Sequence, residues 1–147
     1  MELKGKRIGY CFTGSFCTFE ASIKQMEKLV KEEKAVVFPI MSYNGYNLDT
    51  KFGKAEYFID KIERITENKI IHTIQDAEPI GPKDLLDILI VAPASGNTIG
   101  KVANAINDSP VTMAIKSILR REKPVVFGIS TNNALSRECR KYWKIIR

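Results

Sequence analysis

The apolar run Ile88-Leu89-Ile90-Val91-Ala92 breaks into Pro93-Ala94-Ser95-Gly96-Asn97-Thr98, and a helical pattern follows. The run reads as a buried strand over 87–92, with a helix opening near Asn97 or Thr98. Open α/β sheets bind ligands outside the carboxyl ends of their strands. The polar cluster is therefore a candidate binding edge. Ile8-Gly9-Tyr10-Cys11-Phe12 makes a second such junction, running into Thr13-Gly14-Ser15 and another helical pattern. Pro124 to Ile129 makes a third, ending in Ser130-Thr131-Asn132-Asn133.

The rest of the sequence supplies the elements between these junctions. Strands are expected over 7–12, 35–40, 87–92 and 124–129, with a short one over 69–72. Pro39 suits an edge strand or a strand end, because it lacks the N–H a central ladder needs. Helices are expected over about 18–31, with Ile23, Met26, Leu29 and Val30 on one face, and over 54–67, with Ala55, Phe58, Ile59, Ile62 and Ile65 inward. A further helix from Asn97 includes Ile99, Val102, Ala103 and Ile106. Asn107-Asp108-Ser109-Pro110 breaks it, and Ser109 caps a last helix reaching about Arg121. Residues 41–51 read as a loop and 76–82 as irregular. Strands alternating with helices predict an α/β fold: a parallel sheet sandwiched between two helical layers.

Composition bounds the function. The 147 residues suit one domain over 1–147. The formal charge is +6, and residues 137–147 hold five cations against Glu138, so the remainder is only slightly basic. That balance argues against a nucleic-acid surface. No apolar run approaches membrane-spanning length, and no signal-peptide pattern is present. Cys11, Cys17 and Cys139 show neither zinc nor disulfide spacing. Cys11 reads as a core residue and Cys17 as exposed. A reducing cytoplasm is the expectation.

The two junctions suit a phosphorylated ligand. Gly14 permits positive φ or close approach, Thr13 and Ser15 carry hydroxyls, and the next helix aims N–H groups at an anion. Read alone, the turn serves equally as a plain link. Neither G-x-G-x-x-G nor a P-loop occurs. Ser42 can add a hydroxyl to the same phosphate or remain a loop serine. Asn97 can read a ring edge, and Ser95 or Asn97 can cap the helix. Tyr43 and Tyr46 can stack on a planar ligand or cover their loop. His72, the sole histidine, gives poor support to a nucleophile triad. Glu56, Asp60, Glu63 and Glu67 alternate with Lys54, Lys61 and Arg64, which predicts a solvated helix face with i,i+4 pairs.

With these motifs in view, the sequence resembles flavoproteins of the homo-oligomeric flavin-containing cysteine decarboxylase type. Thr13-Gly14-Ser15, Pro93 to Thr98 and the following Ile99 to Ile106 carry that likeness. Within that superfamily it resembles the family of dipicolinate synthase B subunits over nearly all of residues 3–135. Leu3 to Gly9, Phe52 to Glu56, Ala77 to Pro82, Asn104 to Val111 and Pro124 to Asn132 carry the closer likeness. The resemblance implies a flavodoxin-like (Rossmann-like) fold, bound FMN and a homo-oligomer. It also implies a partner, the A subunit of dipicolinate synthase, with a nicotinamide-dinucleotide domain. The implied activity oxidises a dihydrodipicolinate-type dicarboxylate in the mother cell of a sporulating bacterium. By position, Gly14 and Ser15 would meet the FMN phosphate with Ser42 assisting. Asn97 and Thr98, in the Pro93-Ala94-Ser95 junction, would lie by the flavin, and Thr131, Asn132 and Asn133 would approach from the last strand. The alternatives are a flavin-dependent decarboxylase of a cysteine-containing substrate and a non-catalytic scaffold protein. His72 follows no matching strand motif, which weakens the decarboxylase. Residues 136–147 carry no likeness and read as a divergent or frameshifted tail, so that the fold is expected to be truncated at its carboxyl end relative to the family.

Overall fold

Four parallel strands, β1 (Arg7–Phe12), β2 (Val36–Met41), β3 (Ile88–Ala94) and β4 (Val125–Ile129), form one sheet in the order β2-β1-β3-β4. The computed structural model describes residues 2–130. Alternation along the strands splits the core in two. Ile8, Tyr10 and Phe12 of β1 pack with Phe19, Ile23 and Met26 of α1 (Phe19–Lys31) and with Phe58 and Ile62 of α3 (Ala55–Thr66). Cys11, Leu89 and Val91 face the other side, against Ile99 of α5 (Gly96–Ala103) and Val111, Ile115 and Ile118 of α6 (Pro110–Arg120). The result is the expected flavodoxin-like, three-layer α/β arrangement. Gly9 lies where β1 meets that second layer. A Cβ there would come within 2.6 Å of methyls on both Leu86 and Leu89, so a larger residue would force both leucines to repack.

Several boundaries differ from the sequence reading, each for a local reason. Strand β3 runs through Pro93 to Ala94, and α5 opens at Gly96. The Ala92–Pro93 peptide is cis. Pairing of β3 with β4 shifts register between Val91 and Ala94, so Ala94 joins the core face that Leu89 and Val91 occupy. The expected loop over 41–51 contains a short helix, α2 (Tyr43–Asn47), because the Ser42 hydroxyl accepts from Gly45 N at 3.1 Å and caps it. No full strand forms over 69–72. Ile71 makes one parallel bridge to Ile40, donating its N–H to Pro39 O at 2.9 Å. Pro39 thus sits on the sheet edge with its missing N–H turned outward, as expected. The segment after it forms a short turn of helix, α4 (Ile74–Ala77), capped by Thr73. Helix α5 ends at Ala103, since Ala105 adopts φ 56°. Ile106 therefore lies beyond the helix that was expected to include it, and Ala103 and Ile106 are both exposed. The charged face of α3 is also wired differently. Lys61 reaches across to Glu20 of α1 at 2.8 Å, and Glu63 accepts from Ile70 N at 2.9 Å, instead of forming i,i+4 pairs.

The amino-terminal edge of the sheet is clasped by charges. Arg7 donates to Asp87 from its backbone N (2.8 Å), Nε (3.2 Å) and Nη2 (2.8 Å), and to Asp84 O from Nη1 (2.7 Å). Lys123 donates to Leu86 O at 2.7 Å and pairs with Asp84. The Arg7 guanidinium, then its backbone N–H, hold the Asp87 carboxyl well below the usual carboxylate range. The Lys123 ammonium likewise lowers Asp84.

Candidate functional site

A groove of about 270 Å³ opens at the carboxyl ends of β1, β2 and β3. In the order β2-β1-β3-β4, the connection from β1 runs toward one edge of the sheet and that from β3 toward the other, so the strand order reverses between β1 and β3. That switch point is where open α/β sheets form their binding crevice. Gly14 supplies the β1 wall, and Ser42, Tyr43 and Asn44 supply the β2 wall. Ser95, Asn97, Thr98 and Lys101 line the third wall, and Ser109 at the start of α6 completes it.

Each wall is shaped by local hydrogen bonds. Ser95 caps α5 by accepting from Thr98 N at 3.3 Å, and its hydroxyl lies 3.1 Å from the Thr98 hydroxyl. The helix thereby turns its first N–H groups, which lack intrahelical acceptors, toward the groove. Ser109 and Thr112 form a reciprocal capping box at the start of α6. Lys101 lies one helical turn beyond Asn97 and pairs with Asp108 at 2.9 Å. The groove walls thus offer hydroxyls, amides and one cation, with no carboxylate among the described lining residues.

Thr13 holds the β1 and β3 walls together. It is fully buried, and its hydroxyl donates to Pro93 O at 2.6 Å while accepting from Ser95 N at 2.9 Å. Its own N–H also reaches Pro93 O at 3.3 Å. Behind this staple, Ser22 donates to Ala92 O at 2.5 Å, and the Tyr10 hydroxyl lies 2.8 Å from Ser22 Oγ. Burial raises the Tyr10 phenol above its ordinary value.

The structure brings together six of the residues singled out from sequence: Gly14, Ser42, Tyr43, Ser95, Asn97 and Thr98. Others stand differently. Thr13 and Ala94 are wholly buried, so their side chains shape the groove without facing it. The Ser15 hydroxyl is spent on the Ser130 carbonyl. Pro93 lines a shallow hollow on the α1 side with Tyr10 and Ser22. Gly14 does not use positive φ, and a Cβ on it would meet no atom within 4 Å, so open space lies before it. Thr131, Asn132 and Asn133, and the tail 136–147, lie outside the described residues. Asn44, Lys101 and Ser109 were not anticipated as lining residues. The i,i+4 spacing of Asn97 and Lys101 was the available signal.

Tyr43 faces the groove, whereas Tyr46 stacks on His72, ring centroids 3.9 Å apart. His72 Nδ1 lies 3.2 Å from Ile70 O, so the ring is held behind the β2 wall. Cys11 is buried, which pushes its thiol far up, and Cys17 is exposed. Among the described residues, no cluster of three or more His, Cys, Asp or Glu side chains could hold a metal ion. No helix among them is long and apolar enough to cross a membrane.

Comparison with known proteins places this geometry. The flavoprotein family model matches residues 1–138. The B subunit of dipicolinate synthase from Bacillus subtilis (strain 168) is 50% identical over 134 residues, covering 91% of this protein. The match spans 66% of that relative's length. The crystal structure of the dipicolinate synthase B subunit from Bacillus halodurans C superposes with a TM-score of 0.86 at 44% identity, over 99% of this protein and 74% of the other. The FMN-dependent cysteine decarboxylase SpaF shares the fold, with a TM-score of 0.74 at 18% identity over 99% of this protein and 81% of its own length. The chain belongs to the flavoprotein family, within the group of dipicolinate synthase B subunits.

Proposed function

We propose that this protein is the FMN-binding B subunit of a two-subunit oxidoreductase forming dipicolinate from a dihydrodipicolinate-type dicarboxylate. The observation that carries the reading is the groove at the β1/β3 switch point, with polar donors, Lys101 and no carboxylate in its described lining. That donor set fits a phosphate-bearing cofactor. The open space before Gly14 admits close approach of the cofactor to the backbone. Gly14 and Ser42 would hold the phosphate, with Lys101 exchanging Asp108 for it as countercharge, and Asn97 and Thr98 would meet the flavin. Tyr43, 42% exposed, offers a face to the planar ring system. Thr131, Asn132 and Asn133 join this set by resemblance alone. Bound FMN supplies hydride and electron transfer, and the protein's part is to bind, orient and tune it.

The groove's volume falls just under the roughly 300 Å³ at which small-molecule pockets begin. A second protein surface completing it accords with a homo-oligomer. Tyr43, Leu48, Phe52 and Tyr57, from the segment that begins in the groove wall, are exposed and available for such a contact. The implied partner is the A subunit of the same synthase, and the implied setting is the cytoplasm of a sporulating mother cell. Decarboxylation of a cysteine-containing substrate finds less support, because His72 is stacked on Tyr46 behind the β2 wall instead of lining the groove.

Titration of the purified protein with FMN tests the reading. Saturable quenching of flavin fluorescence is expected, with a rise in Tm. A ligand at 100 times its Kd adds about 2.7 kcal/mol. A folded protein that neither quenches FMN nor gains stability sinks the cofactor assignment and leaves a scaffold role. Dipicolinate formation that requires both subunits and FMN then fixes the reaction.

A further inference from the structure

The outer face of α6 carries two adjoining grooves outside the candidate cofactor groove. One, of about 550 Å³, is walled by the three cations Lys116, Arg120 and Arg121 against the single carboxylate Glu78, with Met113 and the Gly81–Pro82 backbone. The other, of about 360 Å³, is mostly apolar and includes Ile115 and Leu119. Both include Lys116 and Arg120, so they form one surface. Leu119 is 52% exposed at its centre. Arg121 donates to Gly81 O at 2.9 Å and Pro82 O at 3.2 Å, which sets the wall of the basic groove. Among the described residues no carboxylate pairs with Lys116, Arg120 or Arg121.

Simpler causes account for part of this surface. A cation in the last turn of a helix is favoured by the helix dipole, which explains Arg120. It does not explain Lys116 in the middle of α6, nor an exposed leucine between the cations. The charge selects an acidic partner, and the adjoining apolar groove selects one carrying aliphatic side chains.

We propose that the outer face of α6 is the docking surface for an acidic, leucine-type segment of the A subunit, a proposal that rests on the two-subunit reading above. Ser109 at the start of α6 contributes to the cofactor groove, whereas Lys116, Leu119 and Arg120 lie in the second half of the helix and do not line it. Substitutions at these three positions therefore separate docking from FMN binding. The test measures binding of the purified A subunit to the full-length protein by titration calorimetry, for the parent, the double variant K116E/R120E and Leu119→Ala. FMN affinity, Tm and oligomer mass are measured alongside. The expected result is a roughly 100-fold loss for the charge reversal and a roughly tenfold loss for Leu119→Ala. Parent binding should weaken as salt rises, while FMN affinity stays unchanged and Tm falls only slightly in K116E/R120E, from the reversed charge at the end of α6. Parent-like binding of the A subunit by both variants overturns the docking surface and leaves the two-subunit reading standing. A change in oligomer mass with that binding intact assigns the face to copy–copy contact and overturns it as well. Failure of the parent to bind the A subunit removes the two-subunit reading, and the docking surface falls with it.

Discussion

At the amino-terminal edge of the sheet, Arg7, Asp84, Asp87 and Lys123 satisfy one another in a closed network. At the carboxyl edge, Gly14, Ser42, Asn97 and Thr98 face an open groove, and Lys101 is the cation among its described lining residues. The same strands, β1 and β3, run between these two edges. The contrast separates two tasks. Charges paired with each other tie strand starts together and have little left for a ligand. Neutral hydroxyls and amides around a glycine leave room for an incoming anion. What holds the open edge in shape is a buried hydroxyl, that of Thr13, instead of an ion pair.

Breaking the staple should have the largest effect. Thr13→Val keeps the side-chain shape and removes the acceptor of Ser95 N and the stronger of two donors to Pro93 O. Leaving buried groups unpaired costs about 2 kcal/mol. FMN affinity should fall roughly 30-fold as the two walls lose their spacing. Thr13→Ser should restore both, and a Ser variant as defective as Val would show that shape, not the hydroxyl, matters.

Asp87→Asn tests the opposite edge. Tm should fall with FMN affinity unchanged. The sign of its pH dependence follows from the depressed carboxyl. The unfolded state binds the Asp87 proton more readily than the folded one. The stabilisation is therefore complete above the unfolded value near 4 and is lost as pH falls from there toward the folded value. Thermal melts from neutral pH into acid should show a shallower acid-side fall in Asp87→Asn than in the parent. Parallel curves would mean the clasp does not carry acid stability.

Gly14→Val should reverse that pattern. Its side chain enters open space, so Tm should hold while FMN affinity drops roughly tenfold from lost close approach. A matching fall in Tm would show that Gly14 serves the fold. Asn97→Ala should be mildest, with FMN affinity down about fivefold, one hydrogen bond's worth, and stability unchanged. Equal affinity in variant and parent removes Asn97 from the ring.

Much of this arrangement was legible from the residues, and the failures are instructive. Strand β1 and its turn followed from an apolar run closing on Thr13-Gly14-Ser15. The Ser109 cap and α6 followed from Ser-Pro at a helix start. Helix α2 was missed because Tyr43 to Asn47 has poor helix propensity, and a single Ser42 cap with sheet contacts overrides it. The charged face of α3 was misassigned because Lys61 found Glu20 on a neighbouring helix, a partner 41 residues away.

The sequence by itself determined the parallel α/β layering and which strand ends carry polar clusters. Both are local patterns: apolar runs set buried strands, and short polar turns set their ends. Only the tertiary structure decided the role of each residue within those clusters. Thr13 became a buried staple, Ser15 turned to the Ser130 carbonyl, and Lys101 and Ser109 entered the groove from separate helices. The physical reason is that a hydroxyl bonds to whichever partner packing brings within about 3 Å. For Thr13 and Pro93, 80 residues apart, no sequence pattern encodes that meeting.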